Sequence, residues 1–280
     1  MLASASCWAA LSAPAYSAPA HSVPALSAPA EIRVLIVDGV NNHDWAAATA
    51  GIRNVLDEAG GFRVEVATLT PETLSAWNPN FRRFDVVVVN FNGGHTDNGV
   101  QWPQRVRRAF EAFVKRGGGF VSFHAANNAF LHWEAYNERI GLGWRDPDFG
   151  PALAVSEEGK VVTIPKGSGL KPGHPARGGF DVHVLNRRHE VTRGLPARWL
   201  QPMEQLTHGQ HGPAQGLTVL TYAHSPVSGR NEPMDWVRTY GKGRVYVTML
   251  GHTWKGEPNP NLATPEFRKL LAQGIRWAAK

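Results

Sequence analysis

Gly119-Phe120-Val121-Ser122-Phe123-His124 is the stretch that decides the fold of this chain. It is a short apolar strand, entered through glycines, and it leads into the polar run His124-Ala125-Ala126-Asn127-Asn128. A buried strand that ends in polar and small residues before a helix is typical of open α/β sheets, which place ligand sites at the carboxyl ends of their strands. In one group of α/β folds this position carries a nucleophilic serine or cysteine on a strained turn. Here an imidazole occupies it, so that nucleophile chemistry is excluded.

The residues before this strand follow the same pattern of strand, loop and helix. Apolar runs at 33–38 and 85–90 predict buried strands, and 62–68 alternates like a third. Asp44 is a predicted N-cap for a helix that runs to about Ala59, and 103–116 predicts a second helix. Strands that alternate with helices predict a doubly wound, mostly parallel sheet of the flavodoxin-like α/β class.

The residues after the strand are less regular. Residues 145–216 are rich in proline, glycine, histidine and arginine, with short strand candidates at 161–164 and 180–185. We interpret 145–216 as an irregular insertion that packs over the carboxyl edge of the sheet. Regular structure returns at 217–223, and 234–240 and 243–250 predict a hairpin. Thr264 and Pro265 predict the start of a final helix.

Composition restricts the classes of function. The chain has 280 residues, of which 42% are hydrophobic and 19% charged, which suits one domain over 31–280. The net charge of +6 is scattered over short basic pairs, so we expect no nucleic-acid partner. No apolar run is long enough to span a bilayer.

The first thirty residues differ in character from the rest. Residues 11–30 repeat alanine, serine and proline, which predicts a disordered segment. Residues 1–15 contain small residues but no basic start, so 1–30 is a leader that is either a degraded secretion signal or a low-complexity extension. Export, for example to the periplasm, is favoured slightly over a cytoplasmic location. Cys7 is the only cysteine and lies in this segment, so we expect no thiolate ligand or cysteine nucleophile in the folded region.

Polar residues follow several predicted strands and should meet at one edge of the sheet. The expected catalytic residues are His124, His43 and His252. Amides and indoles suit a hydroxylated ring, which makes a carbohydrate the expected ligand. Asn90 ends the strand predicted at 85–90, and Asn92 and His95 follow that strand at the same edge. The predicted substrate-binding residues are Asn42, Asp44, Asn127, Asn128, Trp144 and Glu204.

Two further types of chemistry are alternatives at these residues. A divalent metal is an open alternative, with nitrogen ligands from His43, His124, His252 and His183 or His189, and an oxygen ligand from Asp44 or Glu204. No other cofactor is evident, because neither a phosphate-binding loop nor a dinucleotide fingerprint follows a strand. A glycosidase would need two opposed carboxylates, for which Asp38, Asp44, Glu134 and Glu204 are the candidates.

Long motifs resemble the ThuA (trehalose utilisation) family over about 31–280. They are Asp38-Gly39-x-Asn41-Asn42-His43-Asp44-Trp45, His124-Ala125-Ala126-Asn127-Asn128-Ala129-Phe130, Tyr136-Asn137-x-x-Ile140-Gly141-Leu142-Gly143-Trp144-Arg145, His189-x-Val191-Thr192-Arg193-Gly194-Leu195-Pro196, Gly241-Lys242-Gly243-Arg244-Val245 and Leu250-Gly251-His252. The resemblance implies a fold like that of class I glutamine amidotransferases and a role in the metabolism of trehalose, related disaccharides or 3-keto sugars. Those amidotransferases need a cysteine where this chain has His124, so glutaminase activity is excluded.

Three functions stay open at this point. In the first, His124 and His43 exchange protons with a sugar or keto sugar, in an isomerase, lyase or hydrolase. In the second, the protein is a non-catalytic carbohydrate-binding or sensing module. In the third, it is a metal-dependent hydrolase. An oxidoreductase would need a partner dehydrogenase to supply the cofactor, and a homo-oligomer is compatible with the sequence.

Overall fold

The computed structural model describes residues 31–94 and 99–280, together with Met1 and Ser4. Apart from those two positions, the predicted leader over 1–30, with Cys7, therefore lies outside the described residues. His95 also lies outside them. Residues Glu31–Lys280 form one compact unit. No helix in the described ranges has the length and apolar character needed to cross a membrane.

Eleven strands and four helices build this unit. The strands are β1 (Ile32–Gly39), β2 (Phe62–Leu69), β3 (Val86–Val89), β4 (Gly119–Phe123), β5 (Ala152–Val155), β6 (Val161–Ile164), β7 (Gly178–Val184), β8 (Arg198–Glu204), β9 (Thr218–Ser225), β10 (Arg230–Tyr240) and β11 (Gly243–Thr248). The helices are α1 (Trp45–Ala59), α2 (Gln104–Lys115), α3 (Glu134–Ile140) and α4 (Pro265–Ala278). The predicted strands, the three predicted helices and the hairpin are confirmed, with ends shifted by a few residues.

All eleven strands belong to one mixed sheet. Its main path runs β2-β1-β3-β4-β11-β10-β9-β7-β8, and the β5–β6 hairpin pairs with β10. Pairings from β2 to β11 are parallel, whereas every pairing beyond β11 is antiparallel. The prediction of a mostly parallel sheet is therefore wrong: the hairpin of β10 and β11 reverses the direction of the chain at the middle of the sheet.

The prediction that 145–216 is an irregular insertion over the sheet edge is also corrected. This region contributes four strands to the sheet, β5 to β8, and β7 pairs with both β8 and β9. Residues 174–177, in the connection between β6 and β7, line the cavity of the candidate site. β6 and β7 match the strand candidates at 161–164 and 180–185, whereas β5 and β8 were not predicted. β5 has only 4 residues, and β8 alternates between exposed and buried residues instead of forming a continuous apolar run like β1 or β3.

Helices cover the parallel part of the sheet on both faces. Phe120 of β4 contacts Phe110 of α2 and Tyr136 of α3, whereas Phe123 contacts Phe267 of α4. Successive side chains of a strand point to opposite faces, so these contacts place α2 and α3 on one face and α4 on the other. Gly119 is required where β4 begins, because a Cβ there would lie 2.4 Å from the carbonyl oxygen of Ala278.

The register of the parallel strands brings their carboxyl ends into line. Val37 pairs with Val89, Val89 with Ser122, and Phe123 with Thr248. The loops that follow β1, β4 and β11 therefore leave the sheet side by side, and this arrangement positions the candidate site.

Candidate functional site

Three histidines meet above the aligned ends of β1, β4 and β11. His43, His124 and His252 each offer a ring nitrogen, and these nitrogens all lie within 4.8 Å of one another. The ring centroids are 4.9 to 5.2 Å apart, and the ring planes are nearly perpendicular. All three side chains are buried. We call this group the histidine cluster.

His124 is held by the backbone turn on which it lies. Its φ is +45°, a left-handed conformation that costs a non-glycine residue of the order of 1 kcal/mol or more. The residue opens a short 3-10 helix, His124–Asn128, directly after β4. Its Nδ1 lies 2.7 Å from the carbonyl oxygen of Met249. Because a carbonyl only accepts hydrogen bonds, Nδ1 carries the hydrogen and Nε2 keeps its lone pair.

The other two histidines also have fixed orientations. Nδ1 of His43 lies 3.2 Å from Oδ1 of Asn41, which also accepts the backbone N–H of His43. The backbone of His252 donates to Glu204 and accepts from Asn261. Nε2 of His124 and Nδ1 of His252 are buried without a hydrogen-bond partner among the described residues. Buried ring nitrogens without partners, this close to one another, suit a cation.

Burial changes the titration of two of these groups. Desolvation lowers the pKa of His124 to about 4, although the hydrogen bond to Met249 acts in the opposite direction. Desolvation, with repulsion from His124 and Arg177, lowers the pKa of His252 to about 2. Both imidazoles are therefore neutral at physiological pH, which is the form that binds metal ions.

Glu204 lies behind the cluster rather than in the pocket. Its carboxylate is fully buried and accepts hydrogen bonds from the backbone N–H groups of Gly251, His252 and Gln205, and from the side chain of Asn261. Burial raises its pKa, and these hydrogen bonds oppose the rise. All these partners are donors, so they require an ionised carboxylate. Predicted as a substrate or metal ligand, Glu204 instead fixes the loop that carries His252.

A cavity of about 310 Å³ opens beside the histidine cluster. Of the predicted site residues, it is lined by His43, His252, Asn42, Asn128 and Trp144. The remaining lining residues are His174, Pro175, Ala176, Arg177, Gln205, Trp254 and Glu257. The ring of Trp254 stacks on His252 with its centroid 6.0 Å away. The cavity thus combines two indoles with the amides of three side chains. A larger cavity of about 740 Å³, near Glu134 and Tyr240, contains no member of the cluster.

The structure leaves several predicted residues away from this cavity. Asp44 caps α1 by accepting from the backbone N–H of Ala47. Asn127 is fully buried and donates to Gln210 and to the sulfur of Met249. His183 stacks on Tyr222, and His189 accepts from the backbone of Val191, so neither metal alternative joins the cluster.

Two other residue groups are tied to the framework. Asn90, which follows β3, donates to the backbone of Trp45 and to Thr49, and Asn92 donates to Asn42. The glycosidase candidate Asp38 accepts from Thr49 and Thr68. The carboxylate of Asp38 therefore forms hydrogen bonds within the framework of the fold.

Arg177 joins the loop before β7 to the loop after β11. Its Nε donates to the carbonyl oxygen of Met203, and its two terminal nitrogens donate to acceptors between His252 and Asn261. Every nitrogen of the guanidinium is thus engaged. Sequence reasoning missed Arg177 and His174 because neither follows a predicted strand or belongs to a motif.

Residues 33–278 match the protein-family model ThuA, described as trehalose utilisation. The chain belongs to the ThuA family. A crystal structure of a ThuA-like protein from Parabacteroides merdae is 30% identical, with a TM-score of 0.82 over 89% of this chain and 90% of the other. A ThuA-like protein from Bacteroides uniformis is 20% identical, with a TM-score of 0.60 over 92% and 95% of the two chains, and shows the same fold. No curated protein matches the sequence.

Proposed function

We propose that this ThuA-family protein is a metal-dependent enzyme that hydrolyses a carbohydrate, with His43, His124 and His252 as the metal ligands. The observation that carries the proposal is the histidine cluster, in which three buried imidazoles direct nitrogens within 4.8 Å of one another. Nitrogens that bind one zinc ion at about 2.0 Å lie roughly 3–4 Å apart, so small ring rotations would close the site. Three histidines with an open fourth position are a ligand set of catalytic zinc.

Proton exchange by the cluster itself is less well supported. A general acid or base works best when its pKa lies near the pH at which the enzyme operates. His124 and His252, with pKa values of about 4 and about 2, stay neutral near pH 7 and are poor proton donors there. A bound metal supplies Lewis acidity and activates water at neutral pH, which these residues cannot do alone.

A neutral sugar fits the cavity better than an anion does. Trp144 and Trp254 offer flat faces of the kind that pack on sugar rings, and Asn42 and Asn128 offer amides for hydroxyl groups. Oδ1 of Asn128 is buried and lacks a hydrogen-bond partner among the described residues. The guanidinium of Arg177 is already saturated, so it is not offered to a phosphate. The trehalose utilisation described for the family supports the same class of substrate.

The depressed pKa values predict metal binding that resists acid. A histidine with the ordinary pKa of about 6.5 is about nine-tenths protonated at pH 5.5 and loses about tenfold in metal affinity there. Lowered pKa values keep His124 and His252 neutral at that pH. We expect the apparent Kd for zinc to rise by no more than about tenfold between pH 7.5 and 5.5, against about 1,000-fold for three ordinary histidines. Chelator competition at each pH measures this Kd. A loss of zinc affinity near 1,000-fold would contradict the depressed pKa values.

The direct test starts with protein purified without a histidine tag. Elemental analysis should find about one equivalent of a divalent transition metal after zinc loading. The loaded protein is then incubated with trehalose, with glucosides and with their 3-keto forms, and all products are followed by mass spectrometry. We expect hydrolysis that a chelator abolishes and zinc restores. Sugar binding by calorimetry without any product would instead support a carbohydrate-binding module, and turnover that survives complete metal removal would refute the metal.

We also propose that the parallel part of the sheet is of the flavodoxin-like type. Its strand order, β2-β1-β3-β4-β11, corresponds to the 2-1-3-4-5 order of that class when β11 is counted as the fifth strand. Residues 1–30 remain a predicted leader, with export as the favoured interpretation.

A further inference from the structure

His174 lines the cavity beside the histidine cluster. It lies in the connection between β6 and β7, within the run Lys171-Pro172-Gly173-His174-Pro175. Its ring centroid is 5.9 Å from that of Trp144, which lines the same cavity. The side chain is exposed, so it can exchange protons with water.

The backbone on both sides of His174 is anchored. Gly173 and His208 exchange two backbone hydrogen bonds, of 3.1 and 2.8 Å. Three residues after His174, the guanidinium of Arg177 binds the loop after β11, which carries His252. An exposed loop without such anchors would not hold a side chain at a defined place. Here the backbone that carries His174 is tied to the loop that carries His252.

Hydrogen bonding also fixes the tautomer of His174. Its Nδ1 lies 2.9 Å from the carbonyl oxygen of Pro175, which can only accept, so Nδ1 carries the hydrogen. Nε2 therefore keeps a basic lone pair, and no described residue forms a hydrogen bond with it. A histidine whose outer nitrogen is basic and whose inner N–H is held by an oxygen acceptor is the arrangement of a general base.

The other ionisable residues around the cavity belong to an ion pair or to the proposed metal site. Glu257 forms an ion pair with Arg177, 3.0 Å apart, and Arg177 is saturated. The ring nitrogens of the histidine cluster lie within 4.8 Å of one another and hold the metal in the proposed function. Among the described residues that line the cavity, His174 is the histidine that lies outside the cluster.

We infer that His174 is a catalytic acid–base residue of the proposed hydrolysis, an inference that rests on the proposed function. As the bond between the water oxygen and the sugar carbon forms, the bond from that carbon to the leaving oxygen breaks, and Nε2 takes a proton from the water. The resulting imidazolium then gives its proton, through solvent, to the released oxygen. One water is consumed, two hydroxyl products form, and His174 ends in its starting state.

The test compares His174→Gln with His132→Gln, an exposed histidine that lines the other cavity. Both variants and the wild type are loaded with zinc, and the Kd for zinc, KM and kcat are measured from pH 5 to 9 on the sugar that the wild type hydrolyses. His174→Gln should lower kcat about 100-fold and leave KM and the Kd for zinc within about twofold. Added imidazole should restore part of kcat. His132→Gln should match the wild type throughout.

The outcomes separate the inference from the proposed function. If the wild type binds zinc and hydrolyses a sugar but His174→Gln keeps kcat within about threefold, the inference alone is overturned. If kcat falls only together with zinc affinity or thermal stability, His174 is structural and the inference is again overturned. If the wild type binds no zinc, or binds zinc and hydrolyses no sugar, the proposed function fails and the inference fails with it.

Discussion

His124→Ala is expected to abolish zinc binding at micromolar concentrations and, with it, the turnover of any sugar substrate. Structural zinc sites contribute roughly 10–16 kcal/mol in total, so one of three ligands accounts for about 3–5 kcal/mol, or about three orders of magnitude in Kd. The imidazole of His124 supplies one of the converging nitrogens, and no other described histidine can replace it. Chelator competition for Kd and mass spectrometry of products measure the two effects.

Two companion variants make this experiment decisive. His183→Ala removes a histidine that stacks on Tyr222 outside the cluster, and it should bind zinc like the wild type. His124→Gly removes the same ligand as His124→Ala but tolerates the φ of +45°. The free energy of unfolding of His124→Gly should therefore be about 1 kcal/mol higher than that of His124→Ala, while both variants bind zinc equally poorly. Retention of wild-type affinity in His124→Ala would refute the metal site.

Glu204→Gln is expected to weaken zinc binding about 10- to 100-fold, although Glu204 does not touch the cavity. The variant places an amide N–H₂ where an oxygen accepts either from Gly251 and Asn261 or from Gln205 and His252. At least two hydrogen bonds to a charged acceptor are lost, and the free energy of unfolding should fall by about 2–4 kcal/mol. The loop that holds His252 then loses its fixed position. Denaturant titration and chelator competition measure the two quantities.

Glu232→Gln is the matched control for this change. Glu232 is also a buried carboxylate whose pKa is raised by burial, but it accepts from Ser228 and Gly209 rather than from the loop of His252. We expect Glu232→Gln to alter stability while leaving the Kd for zinc within about twofold. Equal zinc affinity in Glu204→Gln and the wild type would show that the loop after β11 does not need the carboxylate.

The parts of the fold that the sequence predicts are those with a strong local period. β1, β3 and β4 are buried on both faces and read as continuous apolar runs, and α2 and α4 carry their buried residues on one side. The register of parallel strands then places His43, His124 and His252 at one edge without any knowledge of side-chain contacts.

The parts that escaped prediction depend on contacts between distant segments. Glu204 ends a half-exposed edge strand, and its role is set by backbone donors of the loop after β11. His174 lies in a loop with no strand or helix pattern, and a two-residue bridge to His208 determines its place. The positions of Asn127 and Asp44 depend on rotamers, which a residue's place at a strand end does not specify.

The three members of the histidine cluster come from distant parts of the chain, one at each of three loops that only the finished sheet brings together. In an unfolded chain, gathering them would require closing two long loops, at an entropic cost that a single ion has to offset. An ion bound there thus favours the native state by mass action and acts as a removable cross-link between β1, β4 and β11. The melting temperature of the protein would then depend on the concentration of free metal. Loss of the ion would make the chain more susceptible to proteolysis and would also abolish its activity.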